Sequence, residues 1–390
     1  MKILYLDINI QYHNPTRNNI PLLLRKIANL DIYGAGYQSK KILEDGIKKF
    51  YEKNGPYDLV VTNEHIVFGV HKLIEKYDLV RKAYKKNYYF QFDLNLIKNS
   101  LIEMDNFFKT INSKKIVFLL ESDYYNFEKR QIEKLRDLNT YVVGLGKQFY
   151  SNLGELTYLK YESFANKTNE NWYDFICKHD NKIISLYHFV NSSEFYFESI
   201  DNRKNLVYIP GVNYYLRKRA LESIKKSKKY SIDDKKIYNK VYSLLSKIGL
   251  SPYSNPVLMR LYNQLFKDQI ETTKYIYTCG SGLSWPLRKF FEIPALGSLL
   301  LATSFKNAKD MGFIDGENYI ECNCENIIEK LDFLENNPQK AYLIAKKGQD
   351  LVWNRHSLDA RAEQLQKCFN SILNNNFNGT YWNEGEFYVK

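Results

Sequence analysis

The chain has 390 residues, enough for two ordinary domains, each with its own core, and a hydrophobic content of 44% that excludes an intrinsically disordered chain. No run approaches the roughly 20 apolar residues a membrane-spanning helix needs. The net charge of +12 suits an anionic small molecule, an anionic polymer or a membrane surface without choosing among them, and five irregularly spaced cysteines imply neither a disulfide framework nor a zinc site.

From Met1 the sequence is basic and then apolar, but the run breaks at Asp7. This reads as a first strand over residues 2–7, with no secretory signal, and the free thiols then point to a reducing, cytoplasmic setting. A polar loop, 9–18, follows at the C-terminal end of that strand, where open α/β sheets bind ligands. His13 and Arg17 are therefore acceptor-side candidates. Leu30 to Lys40 reads as strand, glycine turn and helix. The turn superficially matches a dinucleotide fingerprint, but Ser39 occupies the third glycine position and no acidic residue follows at the right distance.

Further buried strands are predicted at 56–62, 115–120, 140–144 and 183–189, separated by Lys-rich amphipathic stretches such as 126–138. Strands alternating with helices predict a parallel sheet. Glu64, His65, Glu121 and Asp123 stand just past strand ends, where a general base for a hydroxyl can be held. Asp123, His65 and His13 are the catalytic candidates. A cap or turn role is the plainer reading of each.

The polar stretch 196–204 marks a domain boundary near residue 200. A fresh strand over 206–209 ends at Gly211, and Tyr215 to Lys228 reads as a basic helix. Glycine here would let backbone approach a diphosphate, and Arg217 could neutralise it; a plain turn with an exposed arginine is the alternative. Lys and Arg crowd residues 216–236 with no nucleic-acid motif beside them. A solvated helix face is the default, and contact with an anionic membrane or polymer comes second.

An apolar-periodic helix is predicted at 255–268. The strand Tyr275-Ile276-Tyr277-Thr278 then leads into Gly280-Ser281-Gly282, where backbone can approach a ligand closely. Ser284 and Pro286 are good helix-start residues, and Arg288 and Glu292 share one helix face. A glycine loop feeding a helix is an anion site in outline: the arginine can grip a phosphate and the carboxylate a ribose diol. The competing reading is a solvated ion pair. An apolar strand follows Gly297, then a short strand at 318–321 and helices at 325–335, 338–353 and 357–374. The Asn-rich, aromatic tail carries no signature.

Leu287 to Leu301, with its Arg288-Lys289-Phe290-Phe291-Glu292 core and Gly297, resembles the donor-site segment of CgeB-like (spore maturation protein B-like) group 1 glycosyltransferases. The resemblance continues through Met311 to Tyr319 and through Asn354-Arg355-His356-Ser357 and Arg361. Ile209 to Arg217 is similar to the family's Gly-then-Tyr-x-x-Arg segment. The resemblance implies an α/β protein of GT-B fold, with two Rossmann-like α/β/α domains facing across a cleft. Residues 1–199 would form the acceptor side, 200–356 the donor side, and 357–390 a helix and tail returning to the first domain. Tyr33-Gly34-Ala35-Gly36 would line the cleft.

The implied activity is transfer of a sugar from a nucleotide-diphosphate sugar, such as a UDP- or GDP-sugar, to a hydroxyl of a glycan or other acceptor. Donor contacts would be Gly211, Arg217, Gly280, Ser281, Gly282, Arg288, Lys289 and Glu292. Related retaining enzymes carry two glutamates eight residues apart, but the first would fall on Ser284, so retention or inversion stays open. Either Lys289 or, with one extra residue, Arg288 matches the family's basic position. Glu121-Ser122-Asp123 only loosely resembles the metal motif of the other large transferase fold, so no catalytic metal or further cofactor is expected. Two other classes stay open: a nucleotide-handling epimerase or NAD-dependent enzyme centred on Gly34 to Ser39, and a catalytically silent GT-B-like binding subunit.

Overall fold

The computed structural model describes residues 1–9, 19–68, 94–119, 129–144, 146–149, 170–211, 215–233, 256–280 and 285–390. The first sheet holds β1 (Lys2–Leu6), β2 (Asn29–Tyr33), β3 (Leu59–Asn63), β4 (Lys114–Phe118), β5 (Tyr141–Val143) and β6 (Ile183–Ile184). Their order is β2-β1-β3-β4-β5-β6, and every pairing is parallel. A second parallel sheet holds β7 (Asn205–Tyr208), β8 (Ile232–Asp233), β9 (Thr273–Thr278), β10 (Leu299–Ala302) and β11 (Ile320–Glu321), in the order β11-β10-β9-β7-β8. Counted within each sheet, the second strand lies outside the first and the third lies inside it. Strand order therefore reverses once per sheet, between β1 and β3 and again between β7 and β9. Ligands of open α/β sheets bind at such reversals, beyond the carboxyl ends of the strands.

In the first part of the chain the helices are α1 (Asn19–Ile27), α2 (Lys40–Asp45), α3 (Ile47–Asn54), α4 (Leu94–Thr110), α5 (Lys129–Asp137) and α6 (Glu170–Lys178). Later come α7 (Tyr215–Ser227), α8 (Pro256–Glu271), α9 (Lys289–Ala295), α10 (Ile327–Asn336), α11 (Pro338–His356) and α12 (Leu358–Leu373). Sequence pattern explains both kinds of element. Leu59 to Asn63 and Leu299 to Ala302 are buried throughout, as strands covered on both faces must be. Helix α1 buries Ile20, Leu23, Leu24 and Ile27, the i, i+3, i+4, i+7 stripe of a one-sided helix. Among the described residues no helix is long and apolar enough to cross a membrane.

The last 33 residues pack on the first sheet's side of the molecule. Helix α12 lies against α1, where Lys26 pairs with Asp359 at 2.5 Å. The tail folds into an antiparallel hairpin, β12 (Thr380–Asn383) and β13 (Glu386–Val389), which the sequence had not announced. Its Trp382 is 1% exposed and donates its indole N–H to the Ser185 carbonyl at 2.8 Å.

This packing explains why the strand predicted over 183–189 shrinks to two residues. Main-chain groups beyond Ile184 are taken by the C-terminal segment. The Ser185 N–H donates to Thr380 Oγ1 at 2.7 Å, and Arg361 donates to the carbonyls of Tyr187 and His188 at 3.2 and 3.4 Å. Val190 then exchanges main-chain bonds with His356 and Leu358 at 3.2 and 2.9 Å, a bridge that joins the two stretches of chain running between the sheets.

Arg361 and His356 are both fully buried. One Arg361 N–H donates to His356 Nδ1 at 2.8 Å, and the opposite ring nitrogen, Nε2, lies 2.9 Å from the Met311 carbonyl. The Arg361 guanidinium also stacks over Trp382, 4.9 Å from the ring centroid. Backbone carbonyls and one aromatic face thus take the place of a carboxylate, and burial brings the guanidinium down to about 9.

Candidate active site

Two loops meet at the strand reversal of the second sheet. The first leaves β7 through Ile209, Pro210 and Gly211. Gly211 has φ +88, the left-handed region that glycine tolerates without strain. A Cβ there would stand 3.1 Å from Lys289 Cε, 3.3 Å from Lys289 Nζ and 3.2 Å from Arg217 Nη1. Two cations therefore flank a backbone position that has no side chain.

Arg217 reaches this place from the first turn of α7. It is 2% exposed, not a surface arginine, and one Nη donates to Thr278 Oγ1 at 3.1 Å and to the Cys279 carbonyl at 3.3 Å. Its guanidinium is thereby fixed at the carboxyl end of β9.

The second loop leaves β9 through Cys279 and Gly280, both buried. The Gly280 carbonyl accepts from the Trp285 N–H at 3.0 Å. Ser281 and Gly282 lie outside the described residues, as do His13, Arg17, Glu121 and Asp123. Helix α9 begins at Lys289, not near Ser284. Pro286 has no N–H, and residues 285–287 close a separate tight turn, Leu287 N–H to Trp285 carbonyl at 2.8 Å, before helical bonding starts. With only seven residues in α9, its side chains carry the charge.

Arg288 and Lys289 face different partners. Arg288 Nε donates to Glu292 Oε1 at 2.5 Å, and its Nη2 donates to Glu194 Oε1. Glu194 is itself held by a short capping box, accepting from the Asn191 N–H at 2.7 Å. Lys289 instead points at Gly211 and lies 5.8 Å from the Phe266 ring centroid. Burial lowers the Lys289 ammonium; Glu292 opposes this, while Arg217 and Arg288 reinforce it. For Glu292, burial opposes ionisation, but Arg288 and Lys289 outweigh it and hold the carboxyl below its ordinary value.

His188 belongs to the same neighbourhood. It is half-buried, and burial together with the Arg288 charge pushes the imidazole down to about 4. Glu292 works against that shift, while Arg361 and Lys289 add to it. Neither His188 nor Glu194 was singled out from sequence. The rule that found His65 and Asp123, a polar residue just past a strand end, would have found His188 too. It failed because residues 183–189 read as a strand and hid the histidine inside it.

The structure thus brings Gly211, Arg217, Arg288, Lys289 and Glu292 together at one place, with Gly280 at its edge. His65 stands on the other sheet, on the helical residues 64–68 after β3. Its N–H donates to Asn63 Oδ1 at 3.1 Å, and Nε2 lies 3.7 Å from Glu64 Oε1. Asn63 in turn donates to the Tyr5 hydroxyl, which donates to the buried Asp7 carboxylate at 2.9 Å. The Gly34 turn packs against this strand end: a Cβ on Gly34 would fall 1.9 Å from the Asp7 carbonyl. Its glycine thus serves contact with the chain's own backbone. Among the described residues no group of three or more His, Cys, Asp or Glu side chains could hold a metal ion.

Residues 277–367, from the end of β9 through most of α12, match the family model described as Glycosyl transferase-like. This stretch is similar to a glycosyltransferase domain. It contains Arg288, Lys289, Glu292, His356 and Arg361, while Gly211 and Arg217 precede it. In fold, the whole chain is similar to a glycosyltransferase from Rickettsia africae, with 12% identity over 96% of this chain and 99% of that one and a TM-score of 0.50. It is likewise similar to sucrose-phosphate synthase from Thermosynechococcus elongatus, with 10% identity over 96% and 100% of the two chains and a TM-score of 0.51. Anabaena Alr3699/HepE in complex with UDP-glucose matches at 10% identity over 95% and 100%, with a TM-score of 0.46. No curated protein sequence matches the chain significantly. The two parallel sheets have the GT-B fold of these solved structures.

Proposed function

We propose that the chain transfers a sugar from a nucleotide-diphosphate sugar to an acceptor hydroxyl, and that the donor binds at the strand reversal between β7 and β9. The observation that carries this reading is the pair of cations, Lys289 and Arg217, set about the bare backbone of Gly211. A diphosphate needs both features: room to approach the main chain and positive charge to offset its own. In this reading Lys289 and Arg217 neutralise charge developing on the departing diphosphate. Glu292, ionised and pointing from the same helix, holds the ribose hydroxyls, while Arg288 orients Glu292. Residues 200–356 act as the donor half, residues 1–199 present the acceptor, and 357–390 close back on the first half. His65, Asp123 and His13 remain the candidates for an acceptor base. Membership of the CgeB-like subgroup, a UDP- or GDP-linked donor, a cytoplasmic setting and chemistry without a metal are parts of the same proposal.

The test is a melting-temperature and calorimetric titration with UDP, GDP, CMP and NAD, since a ligand of the native state raises Tm. UDP or GDP should stabilise the protein, and Lys289→Ala should weaken that binding about tenfold or more while the protein stays folded. Glu292→Ala should weaken it as well. Stabilisation by NAD alone, or nucleotide affinity unchanged in both variants, would overturn the proposed site.

A further inference from the structure

We infer that the tip of the C-terminal hairpin is a latch between the two halves of the molecule, closed in the arrangement described and released when the second half rotates away from the first.

One end of the hairpin belongs to the first half. Thr380 Oγ1 donates to the Ile183 carbonyl at 3.2 Å and accepts from the Ser185 N–H at 2.7 Å. Trp382 and Gln148 exchange two bonds: the Trp382 N–H donates to Gln148 Oε1, and Gln148 Nε2 donates to the Trp382 carbonyl, each at 2.9 Å. The Lys390 ammonium reaches Asp180 at 3.3 Å. Trp382 is buried, and its ring meets Arg361 and His356 where the two halves join. This end cannot leave without unpacking the tryptophan.

The other end reaches the second half. Glu384 and Gly385 form a two-residue turn with φ of 51 and 82, the left-handed pair that tight hairpins favour. The Gly385 N–H donates to the Asp310 carbonyl at 2.8 Å, in the chain between β10 and β11. Glycine faces glycine beside it. A Cβ on Gly312 would stand 3.0 Å from Gly385 Cα, and one on Gly385 would stand 3.3 Å from Gly312 Cα. Arg355 of α11 pairs with Glu386, with side chains 44% and 46% exposed. The tip is thus held by one main-chain bond, a contact of bare backbone and an exposed ion pair, which contributes little.

The two ends therefore resist motion unequally, and the weaker one stands at the end of a lever. Three residues separate Trp382 from Gly385, about 10 Å of extended strand. A rotation of roughly 15° about Trp382, an ordinary size for domain movement, carries the tip about 2–3 Å. The Gly385 bond would then exceed hydrogen-bond reach, while every bond at the Trp382 end survives. With no side chain on either glycine, the tip separates and reseats without unlocking any packing.

The experiment is hydrogen exchange of the full chain, read at single amides by mass spectrometry with electron-transfer fragmentation, beside spin-label distances between the halves. In wild type the Gly385 N–H should exchange at least about tenfold faster than the Trp382 N–H, since the tip opens alone. Spin labels are attached at Lys48→Cys on α3 and Glu329→Cys on α10, with Cys177→Ser and Cys324→Ser removing two native thiols. Gly312→Ala then wedges the glycine contact from the second half and leaves the hairpin's own sequence intact. It should speed exchange at Gly385 several-fold, leave Trp382 unchanged and broaden the distance distribution between the labels. Should that variant not fold, Arg355→Ala takes its place with the same expected directions. Equal exchange at Gly385 and Trp382 in wild type overturns the latch, because the hairpin would then open as one piece. Faster exchange at Gly385 with an unchanged label distribution overturns it as well, because the tip would then fray without the halves moving.

Discussion

Lys289 and Arg288 are adjacent in sequence yet should behave differently when removed. Arg288 already satisfies two carboxylates, Glu292 and Glu194, and losing it leaves Glu194 without that cation and Glu292 with Lys289 instead. Arg288→Ala should therefore cost stability, about 2–3 kcal/mol for a charge-assisted pair in a half-buried setting, measurable by chemical denaturation. Gly211→Ala tests the same place from the opposite side. Its φ of +88 strains any side chain, and the added methyl would displace the Lys289 ammonium. A loss of about 1–2 kcal/mol in stability is expected, with a several-fold loss of UDP affinity by calorimetry. At this scale the sequence was partly legible. Gly211, Arg217 and the Arg-Lys-Phe-Phe-Glu run could be named because backbone room, charge and i,i+4 spacing are local properties. Which of the two basic residues faces the ligand depends on Glu194, 94 positions upstream, and no local pattern carries that information.

Among the elements, the readings that held were those set by apolar periodicity. Strands β1, β3, β4, β7, β9 and β10 fall within a few residues of their predicted ranges, and so do helices α10, α11 and α12. Elsewhere reading failed for different reasons. Strand β6 ends early because side chains from the last 33 residues take its backbone groups. Helix α9 starts late for a local reason, since the Leu287 N–H bonds back to the Trp285 carbonyl in a separate tight turn. The β12–β13 hairpin went unread because its alternation is short and its turn, Glu384-Gly385, lies in an Asn-rich stretch. That hairpin is anchored chiefly by Trp382, whose ring also covers Arg361 and lies tilted against His356 at 5.3 Å between centroids. Trp382→Ala should cost about 3–5 kcal/mol, the range for a large aromatic removed from a core. It should also speed hydrogen exchange at Ser185, whose carbonyl and N–H both bond to the hairpin.

Over the molecule as a whole, two histidines are kept neutral by burial, and this sets the response to acid. His356 is driven well below its ordinary value by burial and then by Arg361, and His188 stands at about 4. An unfolded chain would protonate both near pH 6.5, so below that pH the unfolded state binds more protons. Stability contributed by their neutral forms is thus complete above about pH 6.5 and is lost as pH falls, for His188 until about 4. Each adds up to about 1.4 kcal/mol of loss per pH unit in that window. Urea midpoints at pH 7.5, 6.5 and 5.5 should fall progressively, and His356→Gln should flatten the lower part of the curve. The alternation of strands and helices made the α/β class and a parallel sheet legible from sequence, while the doubling of the sheet was implied by the family resemblance. The reversal points were not, because they depend on which strands pair, and pairing order is not written in any single stretch.

The chain passes between its two sheets in two places, and Val190 bonds with His356 and Leu358 where those passes lie side by side. The two ribbons are clipped at several places, since Arg361 also holds the Tyr187 and His188 carbonyls and Gln349 holds the Tyr196 carbonyl. Sliding one half along the other would first have to break that whole row of bonds.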